Sequence, residues 1–316
     1  MTKSCPAKDD PDSVWPPFCP NLGAAYFLAV LFGLTLVAHI VQAIIHRKVY
    51  SWVVCMSALW QLLAFIFRIL SINNVTAIGY YTPWFVLILL APIWINAYVY
   101  MVLGRMVYNY TNNATIFGIK AWRCGLYFVL LDIFAFIVQV SGASMASGDG
   151  IPESQIMRGL HIYMGGVGLQ QFFILGFIGV AVRFQKQMNL DLPMASKRSP
   201  LLLLYILYAA LALITVRIIF RLIEYSQGYK SSIVTKEVWA LIFDSLPMFI
   251  ALVLFNVVHP GRIMVGKEAD FPSRKARKAA SKDFQWGRAN KHRGDVTPLG
   301  GVGMSFGLNK NSSGMV

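Results

Sequence analysis

Seven continuously apolar stretches punctuate the chain, near 22–45, 50–71, 82–104, 122–145, 159–183, 200–223 and 237–258. Each holds about the 20 residues that a helix needs to cross a bilayer's hydrocarbon layer, at about 1.5 Å per residue. The runs do not alternate apolar with polar, and a lone strand in lipid would leave its backbone groups unpaired, so helices are the reading. The pattern predicts an all-α membrane protein, a seven-transmembrane helix bundle over 22–261, with a 1–21 N-tail and a 262–316 C-tail.

Composition agrees. Mean hydropathy is +0.57 and only 13% of residues are charged, where a soluble domain carries about a quarter. Residues 1–21 hold Asp9, Asp10, Asp12 and five prolines without an apolar core. The first helix is therefore expected to act as the targeting signal, in place of a cleavable peptide.

Charge then orients the bundle. Lys and Arg number 20 in the first, third and fifth loops plus the C-tail, against 5 on the opposite side. That asymmetry predicts an extracellular N-terminus and a cytoplasmic C-tail. The net charge of +14 is concentrated in the tail, which has eleven of 28 basic residues and four of 14 acidic ones. Such local basicity points to a membrane face and not to nucleic acid. The tail has few large apolar residues and is expected to be disordered, its cluster at 274–278 serving to fix topology. On the outer side Cys5 and Cys19 are placed to form a disulfide, while Cys55 and Cys124 fall in spans as packing residues. Of four glycosylation sequons, only that of Asn74 faces the glycosylating side.

Ionisable side chains inside spans are the chemical signal, since each is costly in lipid unless paired or facing a wet cavity. Arg217, Arg221 and Glu224 stand at i, i+4, i+7 on helix 6, and Glu237 and Asp244 at i, i+7 on helix 7. Two stripes of that spacing face one another and pair. Arg68 of helix 2 falls in the same outer half, and Asp132 lies near the midplane. The arrangement reads either as a network that locks the bundle or as an outward polar vestibule for an amphipathic ligand's head group. Gln139, Gln170, Gln171, Asn96 and Asn256 add hydrogen-bonding groups between helices. Gly165, Gly168, Gly176 and Gly179 share one face of helix 5 and are expected to form a close-packing seam. Pro92 and Pro247 are expected to interrupt their helices.

Several chemistries are missing. The run from Gly261 to Glu268 approaches a phosphate-binding loop but lacks its Ser/Thr and follows a membrane helix. Helix 7 has no lysine for a retinal Schiff base. His39, His46 and His259 gather on the cytoplasmic side without a tight metal spacing, which leaves an intramembrane zinc hydrolase as a remote alternative. No cofactor is expected.

The strongest motif is Arg217-Ile-Ile-Phe-Arg221-Leu-Ile-Glu224-Tyr-Ser-Gln227-Gly228, followed by Glu237, Phe243-Asp244 and His259-Pro260-Gly261. With His39 and Gln42, Ala91-Pro92 through Tyr100, Gly104-Arg105, Asp132, Gln139, Gly142, Gly166 and Gln170, it resembles the fungal lipid-translocating exporter family, the RTA-like seven-helix proteins. The resemblance covers roughly 20–262. It implies movement of amphipathic lipids such as sphingoid long-chain bases, phospholipids or sterol-like toxicants, a plasma-membrane location and toxicant resistance, with some relatives tied to porphyrin uptake. One departure is Gln61, Ala64 and Phe65 ahead of Arg68, where the family usually carries Glu, Gly and Tyr. Loss of that acid speaks against a proton relay through helix 2 and leaves Arg68 to pair elsewhere.

The resulting expectation is a lipid transporter and not an enzyme. Its substrate would lie between helices, with the head group near Asp132, Gln139, Arg217, Arg221, Glu224, Asp244, Arg68 and Glu237. A heptahelical receptor or lipid sensor is the main alternative, since the same topology and pocket would serve it. Oligomeric state, direction and energy coupling are left open.

Overall fold

The computed structural model describes residues 7, 10–15, 19–111, 114–146, 152–191, 193, 197–226, 235–266 and 269–272. Cys5, Gln227, Gly228 and the tail from residue 273, with its basic cluster, lie outside the described residues. The chain divides into Met1–Phe271 and Pro272–Val316, and the first unit carries the fold.

Among the described residues, seven helices are long and apolar enough to span a membrane. They are α1 (Leu22–His46), α2 (Trp52–Asn73, entered through a 3-10 turn), α3 (Ile78–Tyr110), α4 (Ala121–Met145), α5 (Glu153–Asp191), α6 (Arg198–Ser226) and a composite seventh span. That last span runs through α7 (Glu237–Ala240), a π-helical turn (Leu241–Ser245), α8 (Leu246–Val257) and α9 (Pro260–Ile263). The protein is thus a multi-pass integral membrane protein. The helices outrun the apolar stretches that predict them. At 39 residues α5 is about 58 Å long, well beyond the hydrocarbon layer. It continues because polar Gln185, Lys186 and Gln187 are good helix formers, while Phe184 and Met188 stay buried against the bundle.

Successive helices pack as neighbours, α1 also meets α8, and α3 contacts α2, α4, α5 and α6. α3 is therefore the central post, 61% of its apolar window being buried against 28% for α1 and α4. The outer helices turn Phe27, Leu34, Ile44, Leu130, Phe134 and Phe172 outward, an apolar belt that only lipid would cover. One feature is not anticipated by the apolar pattern: Thr115–Ile116 and Ile119–Lys120 form a two-residue hairpin between α3 and α4. Phe117 and Gly118 make its turn at φ 50° and 74°, the left-handed pair that a tight hairpin requires.

The glycine expectation is corrected. A Cβ on Gly165, Gly168 or Gly179 would meet nothing within 4 Å, so that stripe faces outward. The close seam is made instead by Gly142 of α4 with Gly159 and Gly166 of α5. There a Cβ would fall 2.6 Å from the Gly159 carbonyl, 2.7 Å from the Gly142 carbonyl and 2.8 Å from the Gln139 backbone nitrogen. Spacing alone placed the glycines on a face; it did not say which face meets α4.

Both ends of the bundle hold a segment from outside the spans. At one end, the Trp15 end, the Trp15 indole N–H donates to the Ser71 carbonyl at 3.2 Å, and the Val14 N–H to the Val75 carbonyl at 2.9 Å. The Arg68 guanidinium packs against the touching Trp15 and Trp84 rings, 5.0 and 4.7 Å from their centroids. At the other, the Lys48 end, Arg105 lies between Tyr50 and Phe271, at 3.9 and 4.9 Å. There Lys48 Nζ donates to the Gly266 carbonyl at 2.6 Å, and Asn109 Nδ2 to that of Ala269 at 3.0 Å. The packed unit consequently extends past residue 262, to Phe271.

Candidate functional site

The charges of α6 and the seventh span meet. Asp244 forms ion pairs with Arg217 through Oδ1 and with Arg221 through Oδ2, the latter at 2.6 Å. Arg221 also holds Glu224 at 2.9 Å, one turn along its own helix. Glu237 does not join them: it pairs with Arg68 of α2 and accepts the Asn21 N–H at 2.6 Å. The side chains of all six ions are less than 10% exposed, and their formal charges cancel. Removing one member would strand its partner, which is why such groups come in balanced sets.

Two backbone irregularities place these groups. Pro92 has no N–H to give to the carbonyl four residues back, so the Ile88 carbonyl is left free inside α3. Arg217 Nη2 takes that acceptor at 3.1 Å. The proline thus creates the partner that aims the arginine. In the seventh span, the π turn at Leu241–Ser245 immediately precedes Pro247 near the start of α8. Its wider turn absorbs the proline's missing donor and includes Asp244, and single π turns of this kind are frequent at functional sites.

Arg68, Arg221, Glu224, Glu237 and Asp244 line a cavity of about 90 Å³, room for a few waters, with Tyr81 and Trp84 among its aromatic walls. Beside it, between α6 and the seventh span, opens an apolar groove of about 520 Å³ walled by Phe220, Ile223, Trp239 and Phe243. Phe243 stacks on both Phe220 and Trp239, each at 5.9 Å. Exposed Lys236 lines cavity and groove alike. The arrangement can take an apolar chain sideways from lipid while presenting charged and aromatic groups to its polar end.

The structure does not bring every expected residue to this place. Asp132 of α4 accepts from Asn96 Nδ2 and the Tyr100 hydroxyl of α3, both at 2.9 Å. Gln139 donates to Gln170 Oε1 at 3.1 Å. Neither lines the cavity, and Arg217 stands behind it on Asp244, so the common pocket expected for all eight residues is reduced to Arg68, Arg221, Glu224, Glu237 and Asp244. Lys236, Tyr81, Trp84 and the aromatic groove were missed; the Trp239/Phe243 pair at i, i+4 was the available signal. Asn74 is exposed at the end of α2. His46 stacks on His259 at 4.7 Å, while His39 is fully buried with neither ring nitrogen in a hydrogen bond. No three His, Cys, Asp or Glu side chains among the described residues are grouped to hold a metal ion.

Comparison with known proteins then fixes the kinship. The family described as RTA1 like protein matches residues 54–267, which include all six of the paired ions. The chain belongs to the RTA1-like family. It is 44% identical over 263 residues, 80% of its length and 69% of the relative's, to the probable lipid transporter atnI of Emericella nidulans. It is 23% identical over 83% of its length, and 77% of the relative's, to the sphingoid long-chain base transporter RSB1 of Saccharomyces cerevisiae. It is 28% identical over 62% of its length, and 64% of the relative's, to protoporphyrin uptake protein 1 of the same yeast. No solved structure matches this RTA1-like chain.

Proposed function

We propose that this RTA1-like protein moves single amphipathic lipids across the plasma membrane, with its N-terminus outside, and that it is a transporter and not an enzyme. The observation that carries the reading is the shared wall between the charge-lined cavity and the lipid-facing aromatic groove. A chain of sphingoid-base or phospholipid type fits the groove, where burying each methylene is worth about 0.8 kcal/mol. Its head group then reaches Lys236 and the ions behind it. Carboxylates Glu224 and Glu237 suit an ammonium group, and Arg68 and Arg221 a phosphate. The names of the relatives support the lipid class and favour transport over the receptor and hydrolase alternatives.

The test is movement of labelled long-chain base, phospholipid and porphyrin in liposomes containing only this protein. The base or the phospholipid should move, and Phe243→Ala and Lys236→Glu should each slow it, since the first strips an aromatic wall from the groove and the second reverses the charge at its junction with the cavity. Absence of movement of all three probes in well-folded preparations rejects the proposal.

A further inference from the structure

Asp132 stands apart from the other buried acids. Glu224, Glu237 and Asp244 each have an arginine; Asp132, 1% exposed, has none. Its Oδ2 accepts both available donors, and Oδ1 reaches no donor at all. The α3 face opposite supplies Asn96 and Tyr100, and Tyr100 is the one ionisable group facing it among the described residues. Around Tyr100 pack Phe128 of α4 and Phe177 of α5, at 5.6 and 4.4 Å between ring centroids. The polar pair nearest along α4, Gln139 with Gln170, is neutral.

An ionised carboxylate in such a place keeps its charge without a counter-ion, at a cost of several kcal/mol. A proton removes that charge and leaves the two donors satisfied. The contact also has a mechanical outlet. Asn96 and Tyr100 sit on the same helix as the Ile88 carbonyl that holds Arg217. Ile88 and Asn96 are two turns apart, about 12 Å along α3. A change at Asp132 that shifts α3 therefore reaches the ion cavity through one continuous helix.

We propose that Asp132 is a proton-binding site that couples lipid movement to a proton gradient. The coupling rests on the transport reading above; the proton site itself does not. Asp132 holds a proton as the neutral acid in the closed bundle, and releases it when the α3–α4 contact opens to water. The step is a simple protonation of the carboxylate, with no other bond made or broken.

Two measurements test this. Infrared spectroscopy of the protein in lipid nanodiscs should show a protonated-carboxyl carbonyl band at neutral pH that is lost in Asp132→Asn and kept in Asp132→Glu. In liposomes, an imposed pH gradient should accelerate movement of labelled long-chain base or phospholipid by the wild type, and a protonophore should abolish that acceleration. Asp132→Asn should keep only the gradient-independent movement, with an unchanged melting midpoint showing that it folds. A band that survives in Asp132→Asn, or is absent from the wild type, overturns the proton site. Wild-type movement indifferent to the gradient, or gradient-driven movement in Asp132→Asn, overturns the coupling. If the wild type moves no lipid under any condition, the transport reading fails and the coupling with it, while the band still decides the proton site.

Discussion

Asp244→Asn puts the ion network to a quantitative test. The substitution keeps the shape of the side chain and removes a charge that two guanidiniums share. Breaking a buried ion pair from one side costs about 3–5 kcal/mol, most of it the stranded charge. The two arginines are not equally stranded. Arg221 keeps Glu224 at 2.9 Å, whereas Arg217 is left with the neutral Ile88 carbonyl. Replacing Arg217 should therefore relieve the defect, and replacing Arg221 should deepen it by removing the arginine that Glu224 holds. Thermal melting in detergent can be followed by thiol labelling, since Cys55 and Cys124 are free and lie within the packed spans. A drop on the order of 10 °C is expected for Asp244→Asn. Addition of Arg217→Met should recover part of it, and addition of Arg221→Met none. Equal midpoints for the two double variants would refute the assignment of Arg217 as the dependent cation, and an undiminished midpoint for Asp244→Asn would refute the network's role altogether.

Other expectations follow from the same contacts. Gly142→Ala, Gly159→Ala and Gly166→Ala should each lower the melting midpoint by several degrees, because the new Cβ meets backbone that cannot yield. Gly165→Ala and Gly168→Ala should leave it equal or raise it, as alanine gains about 0.5–1 kcal/mol over glycine in a helix; a reversed order in the melting series would contradict the assigned faces of α5. Pro92→Ala gives the Ile88 carbonyl a helical donor that competes with Arg217. The charged hydrogen bond at risk is worth about 1.5–3 kcal/mol, offset by the restored helical bond, so stability should change little while lipid movement falls; unchanged movement in the liposome assay counts against that role for the proline. Arg68→Ala leaves Glu237 without its cation and should cost about 3–5 kcal/mol, whereas Arg68→Ala with Glu237→Gln should be milder in the same melting assay.

Seven spans were legible because apolar length is all that crossing a bilayer demands. The pairing of α6 with the seventh span was equally legible, since Arg217, Arg221 and Asp244 can only be buried together. Glu237 was not: its partner Arg68 lies 169 residues away, and helix periodicity carries no information about which distant helix is adjacent. Asp132 misled for a related reason. Depth in the membrane and an acidic side chain suggested the vestibule, but its neighbours are decided by how α3 docks on α4. Pro92 was read as an interruption of α3, whereas its larger effect is the acceptor it frees for another helix. The outward glycine stripe on α5 shows the converse limit, since small residues permit a close approach without compelling one.

The two arginines held against aromatic rings make trimming the chain hazardous. Removing residues up to 15 would take one of its rings from Arg68, and ending the chain before 271 would do the same to Arg105. Recombinant versions shortened to the seven hydrophobic segments alone should thus express poorly or melt early, and fusion partners belong beyond both rings.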